Sequence, residues 1–71
     1  MTESVYKVVE IIGTSPESWE KAARAAVETA SKSLRDLRVA EVVEQDLVLN
    51  GGQVEAYRTK LKVSFKYENG A

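Results

Sequence analysis

Cysteine and histidine are both missing from this 71-residue chain. Their absence excludes disulfides, catalytic pairs that need either side chain, and the sulfur and imidazole ligands of zinc, haem and iron–sulfur sites. Any metal ion would therefore be held by oxygen ligands, which Ca²⁺ and Mg²⁺ prefer. A chain this short buries little apolar surface, and without disulfides self-association is the remaining way to stabilise it. We therefore expect a homo-oligomer.

Long apolar runs and an excess of one charge are also absent. Apolar runs are two or three residues long, whereas a membrane helix needs about 20. Ten basic and eleven acidic residues are interspersed, with a net charge of −1, so no basic surface for nucleic acid is indicated. Met1 to Ser4 lack the basic and apolar regions of a signal peptide. We predict one domain over residues 1–71, a cytoplasmic location, and neither nucleic acid nor membrane as partner.

The one proline marks the corner between a strand and a helix. We predict a first strand over residues 5–12 and a helix from Pro16 to about residue 37, with Ser15 as the helix N-cap and Pro16 in the first helical position. Gly13 before them can adopt backbone angles that other residues avoid. Apolar residues recur along the helix with a spacing of three or four, at Trp19, Ala23, Ala26, Ala30, Leu34 and Leu37.

Two further strands are predicted over residues 39–49 and 54–67. The turn Asn50-Gly51-Gly52 between them is typical of a hairpin, because these residues tolerate positive φ. The last strand alternates apolar and basic side chains, so one face should pack on the helix. Because the helix reverses the chain, an antiparallel sheet requires the order 1-3-2. The predicted fold is α+β, a β-α-β-β unit with a three-stranded antiparallel sheet on one helix.

Candidate functional residues are few, and binding is favoured over catalysis, so we predict no enzyme activity. Glu44 and Asp46 are two residues apart on one strand and share a face, where they could begin an oxygen-ligand cation site or simply lie beside the basic face of the last strand. Glu17, near the corner, is a second candidate. Its alternative role is structural, since Thr14 and Glu17 match a capping box if the helix begins one residue earlier.

Three segments in order and spacing resemble the dodecin family across nearly the whole chain. They are Ile11-Ile12-Gly13-Thr14-Ser15 before an alanine-rich helix, Ala40-Glu41-Val42-Val43, and Tyr57-Arg58-Thr59-Lys60-Leu61-Lys62-Val63-Ser64-Phe65. The resemblance implies a hollow dodecamer whose members bind flavins without catalysis, between tryptophans and beside a glutamine. Those two positions are Val39 and Arg58 here, and Gln45 is the third candidate among the flavin-site equivalents. A valine offers no aromatic face for stacking, whereas Arg58 could meet a phosphate or carboxylate.

Other details resemble the flavin-poor branch known as calcium dodecin. They are Ser18-Trp19-Glu20, Arg38-Val39-Ala40, Glu44-Gln45-Asp46 and Tyr57-Arg58-x-Lys60-Leu61. For that branch the resemblance implies calcium or another divalent cation as the ligand, and family metal ligands map onto Glu17 and Glu44, with Asp46 as a third candidate. The expected function is therefore cation binding by a dodecameric shell. The alternative is binding and storage of flavin, as riboflavin or FMN, or of another small ligand.

Overall fold

Four elements follow one another in a computed structural model that describes residues 3–66. They are β1 (Tyr6–Ser15), α1 (Trp19–Ala30), β2 (Leu37–Asn50) and β3 (Gln53–Lys66). The predicted β-α-β-β order is confirmed. The predicted last residue of the third strand, Tyr67, lies outside the described residues.

The three strands form one antiparallel sheet in the order β1-β3-β2, as the chain directions predicted. The hairpin between β2 and β3 turns at Gly51 and Gly52, whose φ angles are 60° and 80°, the region that favours glycine. On β3 the predicted alternation holds, since Leu61 and Val63 are buried beneath the helix while basic side chains occupy the opposite face.

Helix α1 begins later than its sequence signals predicted. Ser18, and not Ser15, is the N-cap, and its Oγ accepts a hydrogen bond from the Lys21 amide at 3.0 Å. The Ser15 hydroxyl instead accepts a hydrogen bond from the Glu17 amide at 3.0 Å. Pro16 therefore lies in a turn before the helix and not in its first position. Two serines that can accept from nearby amides lie three residues apart, and the second one caps.

The helix also ends earlier, at Ala30 and not near residue 37, so it has about three turns and not five. Beyond it the amides of Lys32 and Ser33 bond to carbonyls three residues back, a tighter turn than the α-helix. Asp36, with φ of 54°, then directs the chain into β2. Leu34 and Leu37 remain half-buried, so the apolar spacing continues past the point where the regular helix ends.

Small residues allow α1 to lie close to the sheet. Its buried positions are Ala22, Ala26 and Ala30, so Ala22 belongs to the buried stripe in place of the predicted Ala23, which is half-buried. Gly13 of β1 lies directly below, and a Cβ added there would come within 2.0 Å of the Ala22 carbonyl oxygen. The core comprises Ala26, Leu61 and Val63, with half-buried Val9, Ile11, Ala23, Val27 and Leu37 around it.

Strand β2 is largely uncovered, because α1 packs on β1 and β3 and barely contacts β2. Large apolar side chains are exposed on both edge strands, among them Val39, Val42 and Leu49 on β2 and, on the face away from α1, Val8 and Ile12 on β1. The accessible surface is 5572 Å², whereas a compact monomer of the same mass exposes about 4400 Å². Within residues 3–66 no helix is long and apolar enough to cross a membrane.

Candidate functional site

Two of the three candidate cation ligands, Glu44 and Asp46, lie on the outer face, the face of the sheet that points away from α1. Across the β2–β3 ladder, Asp46 is opposite Arg58 and Glu44 is opposite Lys60. The register of the ladder shifts between Val42 and Glu44, so Glu41 lies on the same face as Glu44 although the two are three residues apart. Glu41 is opposite Lys62. The outer face thus carries acidic residues on β2 and basic residues on β3.

Asp46 and Arg58 form the most complete ion pair of this face. Arg58 Nε donates to Asp46 Oδ1 and Arg58 Nη2 donates to Oδ2, each at 2.8 Å. This bidentate geometry is the strongest arrangement of an arginine and a carboxylate. The hydrogen bond from Arg58 lowers the pKa of Asp46, with smaller contributions from the charges of Arg58 and Lys60, while desolvation opposes the shift. The same hydrogen bond raises the pKa of Arg58.

Glu44 is held more loosely. Its Oε1 lies 3.6 Å from the Nζ of Lys60, and 64% of the Glu44 side chain is exposed. A solvated contact of this length adds little stability. Glu44 is therefore the more available carboxylate of the two, whereas Asp46 has both of its oxygens in use.

Glu17 lies at the corner before α1, where it pairs with Lys21 one turn on. Because Ser18 is the N-cap, Glu17 precedes the helix. The alternative prediction, a capping box formed by Thr14 and Glu17, is therefore wrong. No group of three or more acidic side chains able to hold one ion occurs in residues 3–66. Glu17, Glu44 and Asp46 thus do not form a three-ligand site within one chain.

Trp19, the first residue in the apolar spacing predicted for the helix, connects α1 to the strand of Asp46. Its Nε1 donates to the Asp46 carbonyl oxygen at 3.1 Å, and its ring meets the Tyr57 ring edge-on at a centroid distance of 5.2 Å. The hydroxyl of the fully buried Thr59 donates to the Trp19 carbonyl at 3.0 Å. These contacts, which sequence patterns did not indicate, fix the backbone on which Asp46 is carried.

The three flavin-site equivalents are separated within one chain. Val39 is 63% exposed and lies opposite Ser64, six residues along β3 from Arg58, a separation of about 20 Å in an extended strand. Gln45 lies opposite the buried Thr59, on the face toward α1 and not on the outer face. One subunit therefore does not bring Val39, Gln45 and Arg58 together.

Comparison with known proteins agrees with this architecture. The family model for dodecin matches residues 5–68. Calcium dodecin of Mycobacterium tuberculosis is 57% identical over 63 residues, which are 89% of each chain. Dodecin of Thermus thermophilus is 42% identical over 64 residues, covering 90% of this chain and 93% of the relative.

Solved structures give the same result. Dodecin from Streptomyces coelicolor superposes with a TM-score of 0.92 at 37% identity, covering 99% of this chain and all of the other. The crystal structure of the calcium-chelating calcium dodecin of Mycobacterium tuberculosis, described with a calcium-binding site, gives a TM-score of 0.83 at 53% identity over 96% of this chain and 97% of the other. The chain belongs to the dodecin family, and the fold predicted from the sequence is confirmed.

Proposed function

We propose that this protein is a non-enzymatic, cation-binding dodecin, with calcium as the first candidate ion. The observation that carries the proposal is the 57% identity to a calcium dodecin across 89% of both chains. The lack of histidine and cysteine fits an oxygen-ligated ion such as Ca²⁺.

The proposed ligands are Glu17, Glu44 and Asp46. Glu44 contributes the most accessible carboxylate of the outer face, and Asp46 lies two residues away on the same side of β2. Ca²⁺ takes about six to eight oxygens, more than these carboxylates supply in one chain. Backbone carbonyls, water or a second copy of the chain would complete the coordination.

Assembly into a dodecamer is the second part of the proposal. The surface of the chain exceeds that of a compact monomer, and exposed valines, isoleucine and leucines lie on both β1 and β2. Exposed apolar surface of this kind is usually buried between subunits. Light scattering after size exclusion tests this directly: a mass near twelve subunits supports it, and a stable monomer contradicts it.

Calorimetric titration with CaCl₂ and with MgCl₂ tests the cation. The Glu44→Gln variant should bind calcium more weakly than the parent protein, because it loses a charged ligand. Glu28→Gln is the matched control, since Glu28 is an exposed residue of α1 and loses the same charge. A thermal shift with calcium should accompany binding, because a ligand of the folded state stabilises it by mass action. The absence of both binding heat and a thermal shift at millimolar calcium would contradict the proposal.

Flavin binding is the alternative function, and a fluorescence titration of the same protein preparation tests it. Val39 supplies no ring to stack on an isoalloxazine, and Arg58 is already paired with Asp46. Cation binding is therefore the better supported function. Quenching of riboflavin and FMN fluorescence on titration with the protein would reverse this order.

A further inference from the structure

Four charged side chains form a compact neutral group on the outer face. Asp46 and Glu44 of β2 face Arg58 and Lys60 of β3 at two positions of the ladder, with the Gln45–Thr59 pair between them directed to the opposite face. The group has two negative and two positive charges, and each carboxylate already contacts a basic side chain at 2.8 Å or 3.6 Å. A divalent cation entering this group meets no net negative charge while both pairs are closed.

The two pairs differ in what a cation would have to displace. Lys60 holds one oxygen of Glu44 at 3.6 Å, and a small shift of its long side chain frees that carboxylate. Arg58 occupies both oxygens of Asp46 at 2.8 Å. A cation bound to Asp46 takes an oxygen from the guanidinium and adds two positive charges next to it, so the pair must open first.

We propose that Arg58 competes with the cation for Asp46 and thereby limits cation affinity on the outer face. This inference rests on the proposed cation-binding function and deepens it. Asp46 is a ligand only when Arg58 turns away, whereas Glu44 is accessible in the closed state. The strength of cation binding is therefore set by a basic residue that never contacts the ion.

The test compares calcium affinities of the full-length parent protein and the Arg58→Gln variant by calorimetry. Removing the guanidinium should tighten binding by about three- to fivefold, the change expected when a competing surface ion pair is lost. Lys62→Gln is the matched control, because Lys62 lies on the same face of β3 and loses the same charge, but pairs across the ladder with Glu41. Its affinity should change by less than about twofold.

A second variant protects the test against a folding defect. Arg58→Lys keeps the positive charge but cannot form the bidentate contact, so its calcium affinity should lie between those of the parent and Arg58→Gln. Circular dichroism and light scattering confirm that each variant folds and assembles like the parent. If Arg58→Gln does not, Arg58→Lys alone must bind calcium more tightly than the parent.

The outcomes separate the two proposals. If the parent binds calcium and the folded Arg58 variants bind it with the same affinity, the proposed role of Arg58 is wrong and the cation function remains. Equal tightening in Arg58→Gln and Lys62→Gln also overturns the role of Arg58, because net charge alone would then explain the change. Absence of calcium binding in every variant overturns the cation function and this inference with it.

Discussion

The indole Nε1 of Trp19 donates a hydrogen bond to the backbone carbonyl of Asp46 across 27 residues of sequence, at 3.1 Å. The first residue of α1 is thereby attached to β2, a strand that the helix otherwise barely contacts. Tyr57 supports the same indole from β3. The candidate ligand Asp46 is thus held at its backbone by Trp19 and at its side chain by Arg58.

Replacing Trp19 with Phe tests this attachment. The variant keeps an aromatic ring beside Tyr57 and loses the N–H donor, so the free energy of unfolding should fall by about 1 kcal/mol. Urea denaturation at one fixed protein concentration measures it, since association makes stability depend on concentration. Tyr57→Phe, which retains the ring that Trp19 contacts, is the control and should change stability less. Equal losses in the two variants would show that the Asp46 contact contributes nothing.

Ser18→Ala tests the observed start of the helix. The Ser18 side chain accepts from the Lys21 amide, and loss of an N-cap typically costs about 1 kcal/mol. Ser33→Ala is the control, because the Ser33 hydroxyl lies 3.5 Å from the Ala30 carbonyl, the long limit of a hydrogen bond, and should cost less. Thermal unfolding measured by circular dichroism would compare them. A larger loss in Ser33→Ala contradicts Ser18 as the cap.

The order of elements and the sheet topology could be predicted because they depend on local signals and on chain direction. Asn50-Gly51-Gly52 indicates a turn by its backbone freedom, and the 1-3-2 order follows once the helix reverses the chain. The ends of the helix could not be predicted. Ser15 and Ser18 can both accept hydrogen bonds from nearby amides, so local sequence does not distinguish them as caps, and the helix begins after Ser18.

For the candidate site, the sequence predicted which residues share a face but not what they contact. Glu44 and Asp46 lie two apart and do face the same way. Their partners Lys60 and Arg58 depend on the β2–β3 register, which shifts at Val43. A bulge is set by the whole ladder and the turn beyond it, so the bidentate pair had no local sequence signal.

Gly13→Ala should be the most destabilising of these single substitutions. The added Cβ would lie 2.0 Å from the Ala22 carbonyl oxygen and 2.9 Å from the Ala26 Cβ, so the helix must move away from β1. Overpacking of this kind costs about 1–3 kcal/mol or more. Gly51→Asn is the control, because that glycine has a φ of 60° in open space, which asparagine tolerates. Urea denaturation should show a large loss for Gly13→Ala alone, and parental stability there would contradict the close packing.

The pH dependence of stability tests the Asp46–Arg58 pair without any added ion. The hydrogen bond from Arg58 lowers the pKa of Asp46 below its usual value of 3.8, so the folded state favours the ionised carboxylate. The resulting stabilisation is present above the unfolded-state pKa and disappears as the pH falls through the lowered folded-state pKa. Asp46→Asn should therefore be less stable than the parent at neutral pH, and the two should converge in acid.

Denaturant unfolding from about pH 6 down to about pH 2 measures this convergence, because the loss begins near the ordinary carboxyl pKa and is complete only below the lowered folded-state pKa of Asp46. Arg58→Gln is the control, since it removes the other partner and should approach the parent in the same pH window. The double variant should add little to either single change, because both remove one interaction. A stability difference between the parent and Asp46→Asn that stays constant over this range would show that folding does not lower the pKa of Asp46 and would contradict a stabilising ion pair.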